Sequence, residues 1–227
     1  MTTACILVAA GRGERLGPGA PKALRQVAGQ PLVVRAARTA LESGAVDVLV
    51  VAAPGDLVND VESELRPLGG RPVIVAGGAT RRESVAAALS RLPADVEIVL
   101  VHDAARCLAP AELFGAVAAA VAAGADAVVP VLAISDTVKE IDDDVVVTTL
   151  DRSVLRAAQT PQGFRRDVLV TAHAAVAVDI TDDAGMVEHL GHAVHVVPGH
   201  DDAFKVTRPL DLVLAEVLLA RRSGGAT

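Results

Sequence analysis

A glycine-rich stretch near the start of the chain, AAGRGERLGPGAPK at residues 9–22, sets Gly11, Gly13, Gly17 and Gly19 among Arg12, Arg15 and Lys22. Residues without a Cβ let backbone N–H groups approach an anion closely. Three cations in one turn add charge that a polyphosphate would neutralise. A triphosphate needs such a lining, because its negative charge must be offset before a nucleophile can reach phosphorus. A dinucleotide fingerprint requires G-x-G-x-x-G and an acidic residue after the second strand. Here the glycines run G-x-G-x-x-x-G, and the second apolar run ends Ala52-Ala53-Pro54. A P-loop closes on G-K-[ST], whereas Lys22 follows Pro21 and precedes Ala23. An ordinary glycine-rich turn is the plainer alternative. It is disfavoured because the cations would repel one another with no anion between them.

Further chemistry lies in VHDAARC, residues 101–107. Asp103 follows an apolar run, where it suits either a Mg²⁺ ion carried by phosphates or the N-cap of a helix. Arg106 could take a second phosphate, and His102 reads as a structural hydrogen-bonding group rather than a base. Gly77-Gly78 followed by Arg81-Arg82-Glu83-Ser84 reads either as a helix start or as a place where a flat base lies on backbone with Ser84 hydrogen-bonded to it. Only three lysines, Lys22, Lys139 and Lys205, stand among the 21 Lys and Arg residues. A chain that otherwise uses Arg keeps Lys where a compact ammonium is wanted.

These groups need a frame. Short apolar runs at Cys5–Ala9, Val46–Ala53, Val73–Ala76, Val96–Val101 and Ala127–Val131 lack polar alternation, as strands covered on both faces do. Helical patterns at Pro31–Ser43, Asp56–Leu65, Arg81–Arg91 and Pro110–Ala123 alternate with them. The expected fold is α/β, a doubly wound and mostly parallel sheet in a single domain spanning 1–227. Ligands then belong at the C-terminal edge of the strands, where both the loop and VHDAARC fall. The rhythm breaks at Ser135–Leu150, whose two β-rich runs around Asp142-Asp143-Asp144 predict a hairpin that projects from the core. Helices at Arg165–Val178 and Asp182–Leu190, a strand at Ala193–Val197 and a helix at Pro209–Arg221 complete the pattern, and the SGGAT tail is expected to be disordered.

The 227 residues are 52% hydrophobic, with Phe114, Phe164 and Phe204 as the sole aromatic residues, so the core must be built of Val, Leu, Ile and Ala. A net charge of −7 and the lack of stacking aromatics argue against a nucleic-acid partner. Cys5 and Cys107 form neither a disulfide framework nor a metal quartet. The N-terminus lacks a signal-peptide pattern, and Leu113–Ile134 reads as helix, turn and strand rather than a membrane span. A soluble, cytoplasmic protein is expected.

AAGxGxRxG followed by Pro-Lys resembles the signature of sugar-phosphate nucleotidylyltransferases. VHDAAR, LDR (150–152), QTPQGF (159–164), TDDAGMVE (181–188) and FKVTRPLDL (204–212), in that order, resemble one subfamily, the 2-C-methyl-D-erythritol 4-phosphate cytidylyltransferases, from about residue 4 to 220. The resemblance implies a Rossmann-like nucleotidyltransferase fold with CTP and a polyol phosphate as substrates and Mg²⁺ as cofactor. It implies catalytic roles for Arg15, Lys22 and Lys205. Ala9, Ala10, Gly11, Gly13, Gly78, Ser84 and Ala104 would line the nucleotide, and Asp103 would face the metal. Arg106, Thr137, Arg152 and Thr181 would bind the acceptor. It also implies a homodimer in which the arm at 135–152 crosses to its partner and carries Arg152 into the neighbouring site. Ala23, Cys107 and Ala203 depart from the usual Gln, Pro and Asn of the family. A ribitol-5-phosphate cytidylyltransferase is the nearest enzyme alternative. A silent nucleotide-binding module would be expected to lose Lys22, Asp103 or Lys205, and all three are present.

Overall fold

The structure is a computed structural model that describes residues 1–69, 71–176 and 180–224, and side chains to residue 222. Five parallel strands come first: β1 (Thr2–Val8), β4 (Val48–Ala53), β5 (Val73–Ala76), β6 (Val96–Asp103) and β7 (Ala127–Ala133). A two-residue pair, β2 (Gln26–Val27) and β3 (Gln30–Pro31), lies between the first two. The main sheet has the order β10-β7-β11-β6-β1-β4-β5, where β10 is Arg156–Ala158 and β11 is Gln162–Arg165; β12 (Val194–Pro198) also pairs with β7. β1 pairs in parallel with β4 and β6, β4 with β5, and β12 with β7, while β11 and β10 run antiparallel to their neighbours. The fold is therefore the expected α/β, doubly wound and mostly parallel, with two reversed strands that apolar periodicity alone does not announce.

Alternate residues of each central strand feed two separate cores. Cys5, Leu7, Leu49, Val51 and Leu100 face one side, where they meet α1 (Leu32–Glu42), α2 (Val58–Leu65) and α4 (Ala111–Ala122), with Ala215 of α7 (Pro209–Gly224). Ala4, Ile6, Val50, Ala52, Val99 and Val101 face the other, against α3 (Arg81–Leu89), α5 (Arg166–Ala175) and α6 (Asp183–His189). Phe114 and Phe164 are fully buried, and each fully buried aromatic or aliphatic side chain contributes about 1.5–3 kcal/mol. The strand runs are near-continuous in apolar residues because both faces are covered.

The hairpin forms as expected: β8 (Lys139–Asp142) pairs antiparallel with β9 (Val145–Thr149) in a sheet of its own. The turn at Asp143–Asp144 uses a positive φ of 47° at Asp143, a conformation that Asp tolerates better than most residues. Every residue of both strands is exposed. The final helix runs three residues past Arg221, to Gly224, which leaves only residues 225–227 of the tail expected to be disordered, and these lie outside the described residues. Val178, the predicted end of the helix that stops at Ala175, lies outside them as well. The Leu113–Ile134 window divides into α4, a turn and β7, and among the described residues no helix is long and apolar enough to cross a membrane.

Candidate active site

The C-terminal ends of β1 and β6 and the loop that follows β5 line a cavity of about 600 Å³. Backbone bonds continue past the strands and lock the loops side by side. The N–H of Ala9 donates to Ala52 O, Gly77 N–H to Ala53 O and Ala104 N–H to Val8 O, at 2.7–3.0 Å. A methyl group on Gly77 would come within 2.5 Å of Ala10 Cβ, so the glycine lets the first and third loops touch.

The glycine-rich loop closes on itself through a 3-10 turn at Glu14–Leu16. Gly13 has φ 72°, and a Cβ there would sit 2.5 Å from Lys22 Cβ. Only glycine allows the start of the loop to lie against the lysine that ends it. Arg25, a residue that its sequence context does not single out, holds the far side of the loop. Its Nε donates to Ala20 O at 2.8 Å and its guanidinium to Gly17 O at 2.5 Å and Pro18 O at 2.8 Å.

Ala9, Ala10, Gly11, Gly13, Gly78, Ser84 and Ala104 line this one cavity, together with Arg15, Lys22, Lys205 and Asp103. Arg12, Ala79, Thr80 and Arg81 share it. Thr80 begins α3 with a capping box: its hydroxyl accepts the N–H of Glu83 at 3.1 Å while Glu83 accepts the N–H of Thr80 at 3.2 Å. T-x-x-E is the sequence mark of that device, so the helix-start reading of this stretch holds alongside the ligand-facing one. Ser84 is buried. Its hydroxyl donates to Thr80 O at 2.8 Å and accepts the N–H of Gly78 at 3.1 Å, which fixes the backbone of the Gly77-Gly78 turn. Its proton is thereby taken, and what it offers the cavity is an acceptor oxygen.

Asp103 ends β6 and caps no helix. One carboxylate oxygen lies 2.7 Å from Lys205 Nζ and the other 3.3 Å from Arg81 Nε. Burial opposes its ionisation, but Arg81, Lys205 and Arg106 outweigh burial and hold the carboxyl well below the usual range. Lys205 is kept beside it by the backbone bond from Val206 N–H to Ala105 O, 2.8 Å. The N–H of Asp103 donates to Thr160 Oγ1 at 3.0 Å, which lies 3.0 Å from His102 Nδ1. Burial pushes the His102 pKa down to about 4, so the ring is neutral and structural, as read from sequence.

The Lys22 ammonium makes no hydrogen bond or ion pair with the described residues, although the backbone carbonyl of Lys22 accepts the N–H of Arg25 at 3.2 Å. Burial first, then the charges of Lys205 and Arg15, push its pKa down to about 8 against the pull of Asp103. Lys22, Lys205 and Arg15 are thus near enough to repel one another, around a space with room for an anion.

The four acceptor-binding residues inferred by resemblance do not join this cavity within one chain. Arg106 instead donates to Ala203 O at 2.7 Å and Ala158 O at 3.2 Å, tying β10 to the turn before Lys205. Ala203, where the family commonly has Asn, is fully buried; its carbonyl accepts from Arg106 and its N–H donates to His200 O at 2.9 Å. Thr137 and Thr181 are exposed, and exposed Arg152 donates to Ser135 O at the base of the hairpin.

Among the described residues no group of three His, Cys, Asp or Glu side chains could hold a metal ion. Mg²⁺ does not need one: it keeps one or two carboxylates and takes its other ligands from phosphate and water. A single ionised carboxylate on the wall of a cation-lined cavity fits a metal that arrives with its phosphates.

Arg81 and Asp183 lie in stretches that the sequence singles out, His173 in none, and no motif announces that the three meet. Arg81, half-buried, joins Asp103 to the buried pair Asp183 and His173, and they meet only through the fold: Arg81 and Asp183 are 102 positions apart.

Comparison with known proteins agrees with this geometry. The sequence profile of the 2-C-methyl-D-erythritol 4-phosphate cytidylyltransferase family matches residues 3–221. Curated proteins of that name from Frankia casuarinae and Streptomyces coelicolor are 57% and 54% identical, over 96% and 97% of this chain and 81% and 86% of theirs. Among solved structures, the enzyme of that name from Thermus thermophilus is 34% identical with a TM-score of 0.77, over 97% of this chain and 100% of its own. The 4-diphosphocytidyl-2C-methyl-D-erythritol synthase of Anaerococcus prevotii is 28% identical with a TM-score of 0.85, over 96% and 98%. With a sequence match over nearly its whole length and the same fold, this chain belongs to the 2-C-methyl-D-erythritol 4-phosphate cytidylyltransferase family.

Proposed function

We propose that the cavity binds CTP and that the protein transfers CMP to 2-C-methyl-D-erythritol 4-phosphate, giving 4-diphosphocytidyl-2-C-methyl-D-erythritol and pyrophosphate. The observation that carries this reading is the convergence of Arg15, Lys22 and Lys205 with ionised Asp103 around one glycine-lined cavity. Family membership supplies the base and the acceptor.

The acceptor phosphate oxygen attacks the α-phosphorus of CTP and forms the new P–O bond. The bond to the bridging oxygen breaks opposite, and the electron pair leaves with pyrophosphate. A phosphate is a nucleophile at neutral pH, so the site needs no strong base, in keeping with neutral, buried His102. Positioning and charge neutralisation do the work. Arg15, Lys22 and Lys205 offset the charge that builds at five-coordinate phosphorus. Asp103 would hold Mg²⁺, whose contribution when bound is to offset charge on the departing pyrophosphate.

The acceptor site is completed by a second copy of the chain. The hairpin is a two-stranded ribbon in a sheet of its own, uncovered by the described residues, and Ile141, Val145, Val146, Val147 and Val154 expose 53–77% of their surface. An isolated two-stranded ribbon is marginal in water, and clustered apolar exposure marks an interaction surface. Crossing to a partner would cover it and bring Thr137 and Arg152 toward the partner's Arg106 and Thr181. The use of CTP is in keeping with a protein that acts in the cytoplasm.

The direct test is pyrophosphate release from CTP, with methylerythritol phosphate or ribitol 5-phosphate as acceptor, with and without Mg²⁺. Release is expected only when the first acceptor and Mg²⁺ are both present. Faster release with ribitol 5-phosphate would overturn the acceptor assignment.

A pH dependence follows from Lys22. Its proton is held less tightly in the folded chain than in the unfolded one, so stability rises with pH between about 8 and the ordinary lysine value of 10.5. CTP needs the protonated form. Then kcat/KM for CTP should stay level below about pH 8 and fall above it, and Lys22→Arg should lose that descending limb. A wild-type profile level to about pH 10, near the ordinary lysine value, would exclude Lys22 as the titrating group.

A further inference from the structure

We infer that Arg81 is a positioning residue for the transfer, aimed at Asp103 by a buried Asp183–His173 pair, an inference that rests on the reading of the cavity as a CTP site. Arg81 opens α3 at the cavity wall, with a quarter of its side chain exposed. Its Nε donates to Asp103 Oδ1 at 3.3 Å and a terminal nitrogen donates to Asp183 Oδ2 at 2.5 Å. Asp183 is fully buried in the first turn of α6. Burial opposes its charge, and the hydrogen bond from His173 and the charge of Arg81 outweigh burial and keep it ionised. An ionised carboxylate only accepts, so His173 Nε2, 2.9 Å from Oδ1, is the donor. Of the two acids in TDD, Asp182 caps α6 and accepts from Gln162 at 2.7 Å, while Asp183 is turned inward to Arg81.

Replacing buried ionic groups by apolar ones of the same volume is often neutral or stabilising. What the ionic chain supplies is direction. With its guanidinium fixed between two carboxylates, Arg81 holds one oxygen of Asp103 and leaves the other turned to Lys205 at 2.7 Å. The geometry of Asp103 toward the phosphates is therefore set by residues on α5 and α6 that do not line the cavity.

Calorimetric titration with CTP and Mg²⁺, without acceptor, tests this in four folded proteins: wild type, Asp183→Asn, Asp103→Asn and the double variant. Outer partners of a ligating group typically matter by about 10–100-fold. Asp183→Asn is expected to weaken binding by that factor in the wild-type background, and by less than about 3-fold where Asp103 is already Asn. Should Asp183→Asn not fold, Arg81→Lys takes its place in the same cycle. It keeps the charge for Asp183 but cannot span both carboxylates, and the same pattern is expected. Equal losses in both backgrounds, or none, overturn the inference while the CTP reading stands. A wild-type protein that takes up no CTP overturns the reading of the cavity and the inference together.

Discussion

Replacing Lys22 with alanine is expected to lower kcat/KM for CTP by about 10²–10³, the loss typical of removing one preorganised donor, with the folded state fully retained. The Lys22 ammonium has no hydrogen-bonding partner among the described residues, and burial with the charges of Lys205 and Arg15 already disfavours its protonated form. Its ammonium therefore works against the empty fold and finds its complement only in an anion. Removing it should leave the melting temperature unchanged or raised, in contrast to the loss expected when a stabilising ion pair is broken. Steady-state kinetics together with thermal unfolding separate the two effects. Turnover at the wild-type rate would show that Lys22 does not act on the phosphates. A lowered melting temperature would show that its charge serves the fold.

The same physics explains which parts of the molecule could be read in advance. Gly11, Gly13, Arg15 and Lys22 lie within one contiguous turn, so their chemistry shows in their spacing. The strands at 48–53, 73–76 and 96–103 show as apolar runs because both faces of the sheet are covered. β10 and β11 were not legible as strands. They have three and four residues, and QTPQGF carries a Pro and a Gly, which ordinarily argue against a central strand. In the structure Gly163 is where it is because a Cβ there would meet Val117 Cγ1 of α4 at 2.5 Å. The Arg81, Asp183 and His173 network was hidden for a different reason. Its parts belong to three helices, and only the packing of α3, α5 and α6 on one face of the sheet makes them neighbours. Arg25 was hidden because its targets are backbone carbonyls, which carry no side-chain signature.

The second large effect concerns the arm. Arg152→Ala and Lys22→Ala are each expected to reduce activity by about 10² or more as pure proteins, yet chains of the two kinds, mixed by co-refolding, should regain activity. Arg152 stands at the base of an exposed hairpin, its guanidinium donating to the carbonyl of Ser135 as its one side-chain partner among the described residues, and it is absent from the cavity of its own chain. If it acts, it acts elsewhere. In a twofold dimer with crossed arms, each site draws its cations from the loop of one chain and Arg152 from the arm of the other. A mixed dimer then has one site lacking both groups and one site with both intact. Random pairing makes about half of the dimers mixed, so about a quarter of wild-type activity should return. Native mass spectrometry establishes the mixed dimer independently of turnover. Full mixing with no regained activity would mean that Arg152 does not complete a neighbour's site, and that the exposed valines of the hairpin serve assembly without chemistry. A charge in that ribbon, Val146→Asp, separates those two roles, since a shared site loses its activity and its dimer together. An assembly arm alone would lose only the dimer.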